Sequence, residues 1–547
     1  MLPKCSFCKL SRLSLKSVTV KTELGIGQKL QQLSLPKTLL LALAAGSSAV
    51  FSFAPFYVWP VQVVSMAILF AQLLSMTEST EKKRPFLTGA AFGFGWMLCT
   101  IAWLVIAMSR YGGMPVVLAV LALVVLCAFL ALYAGLAALL IHQLRLRFRI
   151  PLAPALLLLT PPVWMLSEWL RGWLLTGFPW AISGYAHSQS VFAGFAPVAG
   201  VYGLSLIAAF AAAVLALFLI GDAPARCRQG AVAALCVLSL SGSALRHQHW
   251  TQASGQPLQV RLLQGNVDQT IKFDQQHVND SLALYHQMAT AKATDLVAMP
   301  ETALPVLSSM LPPDYLSSVR QFSERSGTAV LLGLGMHDGP QKYANSLIGY
   351  GPAIAANSYY RYDKHHLLPF GEFVPAGFGW FVRMMQIPIG DFTGAGELQM
   401  AMPVKEQWVM PNICYESLFG EEIAHQIRHQ IQTGAPAATI LLNASNLAWY
   451  GDSIAMPQHL QFAQMRVLET GRPMISTTNT GATVAINADG KVYAQLPYLT
   501  QGVLETSVQG YSGATPYIRF GNLIALMVSV LMLAAAILRF RNQGISV

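Results

Sequence analysis

Charge is what this 547-residue chain has least of: 11% of its residues are Asp, Glu, Lys or Arg, against roughly 25% in an average soluble domain. With 54% hydrophobic residues and a mean hydropathy of +0.47, that excludes a purely soluble protein. Acidic residues are scarcer still outside one stretch. Between 247 and 517 lie 20 of the 25 Asp and Glu but only 14 of the 35 Lys and Arg, so this region is net −6 and the remainder +16. No basic face gathers on a soluble surface, so the overall positive charge is no sign of nucleic-acid binding. Of seven cysteines only Cys414 falls in the polar region, which excludes a disulfide framework there. Cys5 and Cys8 have metal-ligand spacing but no second pair, and they read as two incidental thiols. Residues 1–37 lack the apolar core of a cleavable signal peptide and read as a basic tail that touches anionic lipid.

What the chain has in place of charge is apolar runs near the ~20 residues that cross a bilayer. They fall at 38–54, 57–76, 86–109, 114–142, 152–170, 195–221, 229–245 and 518–538, an expectation of eight spans. The fifth carries Pro161, Pro162 and Glu168, which predicts a kinked helix facing protein. Lys and Arg orient the set. With the N-terminus inside, cytoplasmic segments hold 17 of them and the short outside segments hold Arg110, Arg171, Arg246 and Arg519. Both termini are then cytoplasmic and 247–517 is extracytoplasmic. The chain divides into a basic tail (1–37), a seven-span domain (38–246), the polar domain (247–517) and a last span with its cytoplasmic end (518–547).

Inside the polar domain the pattern changes to short β-like runs, such as 259–264, 295–299, 328–336, 408–414 and 439–443. They alternate with helical periodicity at 277–292, 313–326, 420–432 and 457–470. This alternation, with an Asp489-Gly490 hairpin signal, predicts a layered α/β domain.

Three polar residues stand at strand ends, where open α/β sheets place their sites: Glu301 after Leu-Val-Ala-Met-Pro, Lys364 after Tyr-Tyr-Arg-Tyr-Asp, and Cys414 after Trp-Val-Met-Pro-Asn-Ile. Singly, such a Cys is a buried small hydrophobe and such a Glu or Lys a solvated surface residue. Together they are the parts of a Cys hydrolase or acyltransferase. A thiol of pKa ~8.5 is mostly protonated at pH 7, so a carboxylate must take its proton as it attacks a carbonyl. The resulting oxyanion needs a fixed positive donor. Glu301 and Lys364 suit those two tasks.

In their flanking sequence these residues resemble the Glu-Lys-Cys triad of the nitrilase superfamily: Met-Pro-Glu301-Thr-Ala, Asp-Lys364-His-His-Leu-Leu-Pro-Phe-Gly-Glu-Phe, and Ile-Cys414-Tyr-Glu-Ser-Leu-Phe-Gly. Further matches at Glu168-Trp-Leu-Arg-Gly-Trp and Ala54-Pro-Phe-Tyr-Val-Trp-Pro60 narrow the resemblance to the apolipoprotein N-acyltransferase family, from about residue 38 to the end. The fold this implies is a polytopic α-helical membrane protein carrying an αββα nitrilase-like sandwich. By position it implies Glu301 as general base, Lys364 as oxyanion stabiliser, Cys414 as nucleophile and Glu372 as a supporting carboxylate. Tyr415 and Glu416 match the pair after the nucleophile and are expected to contact substrate. Trp449 is similar to the family's lipid-site aromatic, or else is a core Trp beside a strand. Phe273 stands where the family often has Trp, and Leu447 where it often has Asp. The apolar segment 378–389, with Trp380, reads either as an arm touching lipid or as an ordinary packed helix.

The chemistry implied is acyl transfer from a phospholipid, phosphatidylethanolamine being the family's usual donor, through a Cys414 thioester. The acceptor is the α-amine of a diacylglyceryl-modified N-terminal cysteine on a lipoprotein at the bacterial inner membrane. No cofactor or metal is required. One alternative is a membrane-tethered amidase that passes the acyl group to water; transporters are disfavoured by the absence of a repeat, and a dead-enzyme scaffold by the intact triad types.

Overall fold

The computed structural model describes residues 25–221, 223–272, 274–339, 342–375, 377, 379 and 392–541. The apolar runs form helices in the expected order: α1 (Leu35–Ser48), α2 (Trp59–Ser75), α3 (Arg84–Thr100), α4 (Val116–Arg147), α5 (Thr160–Trp173), α6 (Ala196–Ile220) and α7 (Ala225–Leu245). By length and hydropathy five helices among the described residues suffice to cross a bilayer: α1 with its 3-10 extension to Ser52, α4, α6 with the turn before it, α7, and Leu523–Arg541. α3 adds a sixth if its partner Leu104–Tyr111, bent from it by 62°, completes the span. The other two expected spans are helical but fall short. α2 has 17 residues, and the run before α5 passes through a π-helical stretch, Ala155–Leu159, into Pro161 and Pro162. α5 also keeps Glu168 and Arg171 buried. Glu168 accepts from Ser183 N at 2.9 Å and Ser183 Oγ at 2.6 Å, while Arg171 donates to the carbonyls of Phe178 and Trp180. Facing protein, the two charges need no lipid contact.

Small residues let these helices approach closely. A Cβ at Gly89 on α3 would meet the Ala134 carbonyl of α4 at 2.4 Å. α6 runs through the centre, its Ala208, Ala209, Ala212 and Ala213 fully enclosed.

Two sheets follow. The first, ordered β12-β1-β2-β3-β4-β5, comprises β1 (Leu258–Gln264), β2 (Leu296–Ala298), β3 (Ala329–His337), β4 (Tyr343–Tyr350), β5 (Tyr360–Asp363) and β12 (Gly502–Val508), with a short strand Leu304–Leu307 also pairing β3. The second, ordered β11-β10-β9-β8-β7-β6, comprises β6 (Met402–Val404), β7 (Gln407–Ile413), β8 (Ile440–Ser445), β9 (Met474–Thr478), β10 (Val484–Ile486) and β11 (Val492–Gln495). Strand alternation decides the layers. Leu258, Val260 and Leu262 pack with Val409, Ile413, Leu442 and Ile475 in one core between the sheets. The opposite face of the first sheet is covered by α8 (Gln275–Thr290) and α9 (Tyr315–Ser326), through Tyr285, Met288, Tyr315 and Val319. That of the second is covered by α10 (Gly420–Thr433) and α11 (Ala455–Thr470), through Ile423, Ile427, Ala463 and Val467. The result is an αββα sandwich, and α12 (Leu523–Arg541) returns the chain to the membrane helices.

α11 has two working faces. Its apolar side packs on the second sheet, and its other side, with Phe462 and Met465, joins the core of the membrane helices. Polar side chains on that second face reach across. Gln458 accepts from Trp180 Nε1 at 2.8 Å and donates to Thr100 O at 3.3 Å. Gln461 donates to Tyr185 O at 3.0 Å and accepts from Ala54 N at 3.1 Å. Glu469 accepts from Val201 N at 2.8 Å. The αββα body is therefore keyed directly onto the membrane body.

Candidate active site

Three chain segments that leave strands at one edge of the sandwich meet. β2 ends at Ala298 and turns through Pro300 to Glu301, β5 ends at Asp363 just before Lys364, and β7 ends at Ile413 just before Cys414. Lys364 Nζ lies 3.3 Å from Glu301 Oε1 and 2.9 Å from the Glu372 carboxylate. All four residues are buried, Cys414 being 8% exposed and Lys364 2%, so their charges act through little water. The charges of Glu301, Lys364 and Glu372 all act on the Cys414 thiol. Burial alone would raise the Glu301 carboxyl; the Lys364 charge, the Asn345 amide and the Asn446 N–H outweigh it and hold it below the usual carboxylate range. Burial likewise opposes the Lys364 ammonium, but Glu301 and Glu372 keep it well above its ordinary value. The Cys414 thiol is pushed up by burial and by the negative charge of Glu301, with Lys364 opposing. An ionised carboxylate thus stands beside a protonated thiol, which suits proton transfer in the act of attack better than a resting thiolate.

Cys414 takes a left-handed backbone, φ +53°, where the strand breaks into the 3-10 turn Cys414–Leu418. Glu416 sets that turn. Its Oε2 accepts from Ile413 N at 2.6 Å and Tyr362 OH at 2.9 Å, and its Oε1 from His365 N at 2.6 Å and His366 N at 3.2 Å. Both carboxylate oxygens are thus engaged by the chain itself. Glu416 ties the backbone after Lys364 to the backbone before Cys414.

Two site residues escape a reading of the sequence. Asn345 in β4 donates through Nδ2 to Glu301 Oε1 at 2.8 Å and to Glu372 Oε1 at 2.7 Å. Asn446, after β8, donates its backbone N–H to Glu301 Oε2 at 2.9 Å. The available signal was an Asn inside the apolar run Tyr-Ala-Asn-Ser-Leu-Ile, where a buried amide must have partners.

A family profile described as "Apolipoprotein N-acyltransferase N-terminal domain" matches residues 45–214, and one described as "Carbon-nitrogen hydrolase" matches 259–517. The apolipoprotein N-acyltransferase of Ralstonia nicotianae is 45% identical over 504 residues, covering 92% of this chain and 94% of its own. That of Nitrosomonas europaea is 38% identical over 512 residues, covering 92% and 98%. The chain belongs to the apolipoprotein N-acyltransferase family. It is a membrane-embedded acyltransferase of the nitrilase superfamily. An amidase from Nesterenkonia sp. AN1 aligns in structure over 46% of this chain and 92% of its own, at 16% identity with a TM-score of 0.34.

In this N-acyltransferase family member the loop after α5 meets the Cys414–Leu418 turn and the segment after Lys364: Tyr415 OH donates to Gly177 O at 3.1 Å, and the His366 ring pairs with Thr176 O at 2.9 Å. Tyr415 is thus placed between the two bodies. Trp449 is 37% exposed, with its ring edge-on to Tyr111 at 6.0 Å, while its neighbour Tyr450 is buried against Trp103. Of its two sequence readings, the core Trp is therefore excluded. Leu447 is fully enclosed among the apolar residues shared with the membrane helices. Phe273, Trp380 and most of the segment 378–389 lie outside the described residues.

Proposed function

We propose that the protein transfers an acyl chain from a phospholipid, phosphatidylethanolamine the expected donor, to the α-amine of a diacylglyceryl-modified N-terminal cysteine on lipoproteins, through a thioester on Cys414. The observation that carries this is the cluster of Glu301, Lys364, Glu372 and Cys414, closed to bulk water and seated where the αββα body meets the membrane body.

In the first half-reaction the Cys414 thiol gives its proton to Glu301 as sulfur bonds to the ester carbonyl carbon. The carbonyl oxygen takes up the electron pair and Lys364 faces its negative charge. Collapse breaks the bond to the glycerol oxygen, which takes the proton from Glu301 and leaves as lysophospholipid. In the second, the neutral amine bonds to the thioester carbon and yields a proton to Glu301. The departing sulfur takes that proton back, restoring the thiol and releasing the amide. Glu372 and Asn345 hold Lys364 and Glu301 in register throughout. Both lipids bring chains anchored in the bilayer, and contact between the nucleophile turn and the loop after α5 puts the reacting sulfur within reach of them. The distribution of Lys and Arg supports placing the αββα body outside the inner membrane, with both termini cytoplasmic.

The test is intact-mass measurement of the purified full chain after exposure to phosphatidylethanolamine. One acyl group should appear, on Cys414, and a diacylglyceryl peptide with a free α-amine should discharge it while the amine-acetylated peptide does not. Equal decay with and without peptide, yielding free fatty acid, would assign the protein as a hydrolase.

A further inference from the structure

Among the described residues Glu301 and Glu372 form their ion pairs with a single cation. Lys364 is shared, at 2.9 Å from Glu372 and 3.3 Å from Glu301. During attack its charge must also face the oxyanion. Buried carboxylates short of counter-charge are costly, so a second cation near Glu301 has a clear use. The loop 265–272 brings one. Its backbone is stitched to Asn479, which accepts from Val267 N at 2.9 Å and donates to Val267 O at 2.8 Å. Gln269 accepts from Asn446 Nδ2 at 2.7 Å, the residue whose backbone N–H holds Glu301 Oε2. On the other flank Lys272, 1% exposed, donates through Nζ to Thr302 Oγ1 at 3.0 Å. Thr302 directly follows the base and has φ +46°, a backbone state that is strained for a β-branched residue. The loop therefore grips Glu301 on both sides and buries a lysine beside it.

We propose that Lys272 is a positioning residue for Glu301: it pins Thr302 and supplies the second positive charge that keeps the base ionised while Lys364 is turned to the oxyanion. This rests on Glu301 acting as the base. Burial brings the Lys272 ammonium down to about 7, with the Glu301 charge opposing. It is therefore charged across the acid range in which Glu301 titrates. Among the described residues the other titratable groups facing Glu301 are Lys364, Glu372, Cys414, Tyr450 and His459, and all are unchanged in the variants below.

The experiment is single-turnover acylation of Cys414 in the full-length protein, with phosphatidylethanolamine in detergent micelles, from pH 3 to 8. Loss of a nearby cation raises a carboxyl, so in Lys272→Met the acid limb should move up by about one pH unit. Acylation should then be about tenfold slower than wild type at the foot of the limb and near wild type on the alkaline plateau. Lys272→Arg should keep the limb in place. A loss that is the same at every pH would mark a merely structural lysine and overturn the proposal, as would an unmoved limb. Where Lys272→Met does not fold, Thr302→Val, which removes only the hydroxyl that holds the ammonium, is judged by the same two outcomes. Glu301→Gln run alongside separates the underlying assignment: normal acylation there means Glu301 is not the base, whatever Lys272 does.

Discussion

Arg466→Met should destabilise the protein by an amount that depends on pH. Arg466 and Glu469 lie one turn apart on α11, both wholly enclosed, with Nη2 3.0 Å from each carboxylate oxygen. The guanidinium also donates to Leu418 O at 3.2 Å, at the end of the nucleophile turn. Removing one partner of a buried pair costs about 3–5 kcal/mol, because the other charge is left without compensation. Burial already pushes the Glu469 carboxyl from its ordinary 4.5 up to about 7, against the pull of Arg466. A carboxyl that holds its proton more tightly in the folded state contributes stability that is full below 4.5 and is lost as pH rises to about 7. Without Arg466 the carboxyl keeps its proton to higher pH, so the variant goes on losing stability where the wild type has stopped. The gap should widen above pH 7 by about 1.4 kcal/mol per pH unit. Adding Glu469→Gln, which keeps an oxygen for Val201 N–H, should abolish the widening. The measurement is thermal unfolding of the detergent-solubilised full chain at pH 6, 7.5 and 9. A gap constant with pH, or a double variant with the same slope as Arg466→Met, would refute the reasoning.

Cys414→Ala should eliminate the acyl-enzyme and turnover, and Cys414→Ser should also be inactive, the hydroxyl being a far weaker nucleophile; near-normal transfer by either, followed by product mass, would remove the covalent path. Asn345→Leu leaves Glu301 and Glu372 without their shared donor. At about 1.5–3 kcal/mol for a hydrogen bond to a charged group, it should raise the acid limb of acylation by about one to two pH units, and an unmoved limb would count against the bridge. Lys364→Met should abolish acylation and lower the melting temperature, since it strands two buried carboxylates; unchanged stability would contradict the charge balance described above. A reporter active only outside the cytoplasm should work when fused at Gly255 and fail at Lys83 or after Val547, and the reverse pattern would invert the topology.

Much of the sandwich was legible because strand and helix periods differ so clearly: the helical run 457–470 became α11, Ala455–Thr470, and the Asp489-Gly490 signal sits between β10 and β11. Glu301, Lys364 and Cys414 were visible as polar residues ending apolar strands and Glu372 only through the family resemblance, and the structure brings the four together. What periodicity could not show is where a polar side chain points once a helix has two buried faces. Gln458, Gln461 and Glu469 look like a solvated stripe, yet each crosses to the membrane helices. Lys272 and Asn446 escaped for a related reason: they lie in loops, and their partners are 30 and 145 residues away. Apolar composition alone did not register that α2 has 17 residues or that the run into α5 passes through a π-helical stretch.

Four of the bonds that key α11 to the membrane body share a property that those from the Trp103 and Trp180 indoles to Gln458 lack. Thr100 O, Tyr185 O, Ala54 N and Val201 N are all main-chain atoms. A side-chain partner vanishes when its residue is replaced, whereas a carbonyl or amide survives nearly any substitution that preserves the helix. The outward-facing side chains of the membrane helices can therefore change while the αββα body keeps its register on them. Adaptation to a membrane and alignment of the two bodies are written largely in different atoms, the Trp103 and Trp180 indoles being shared by both.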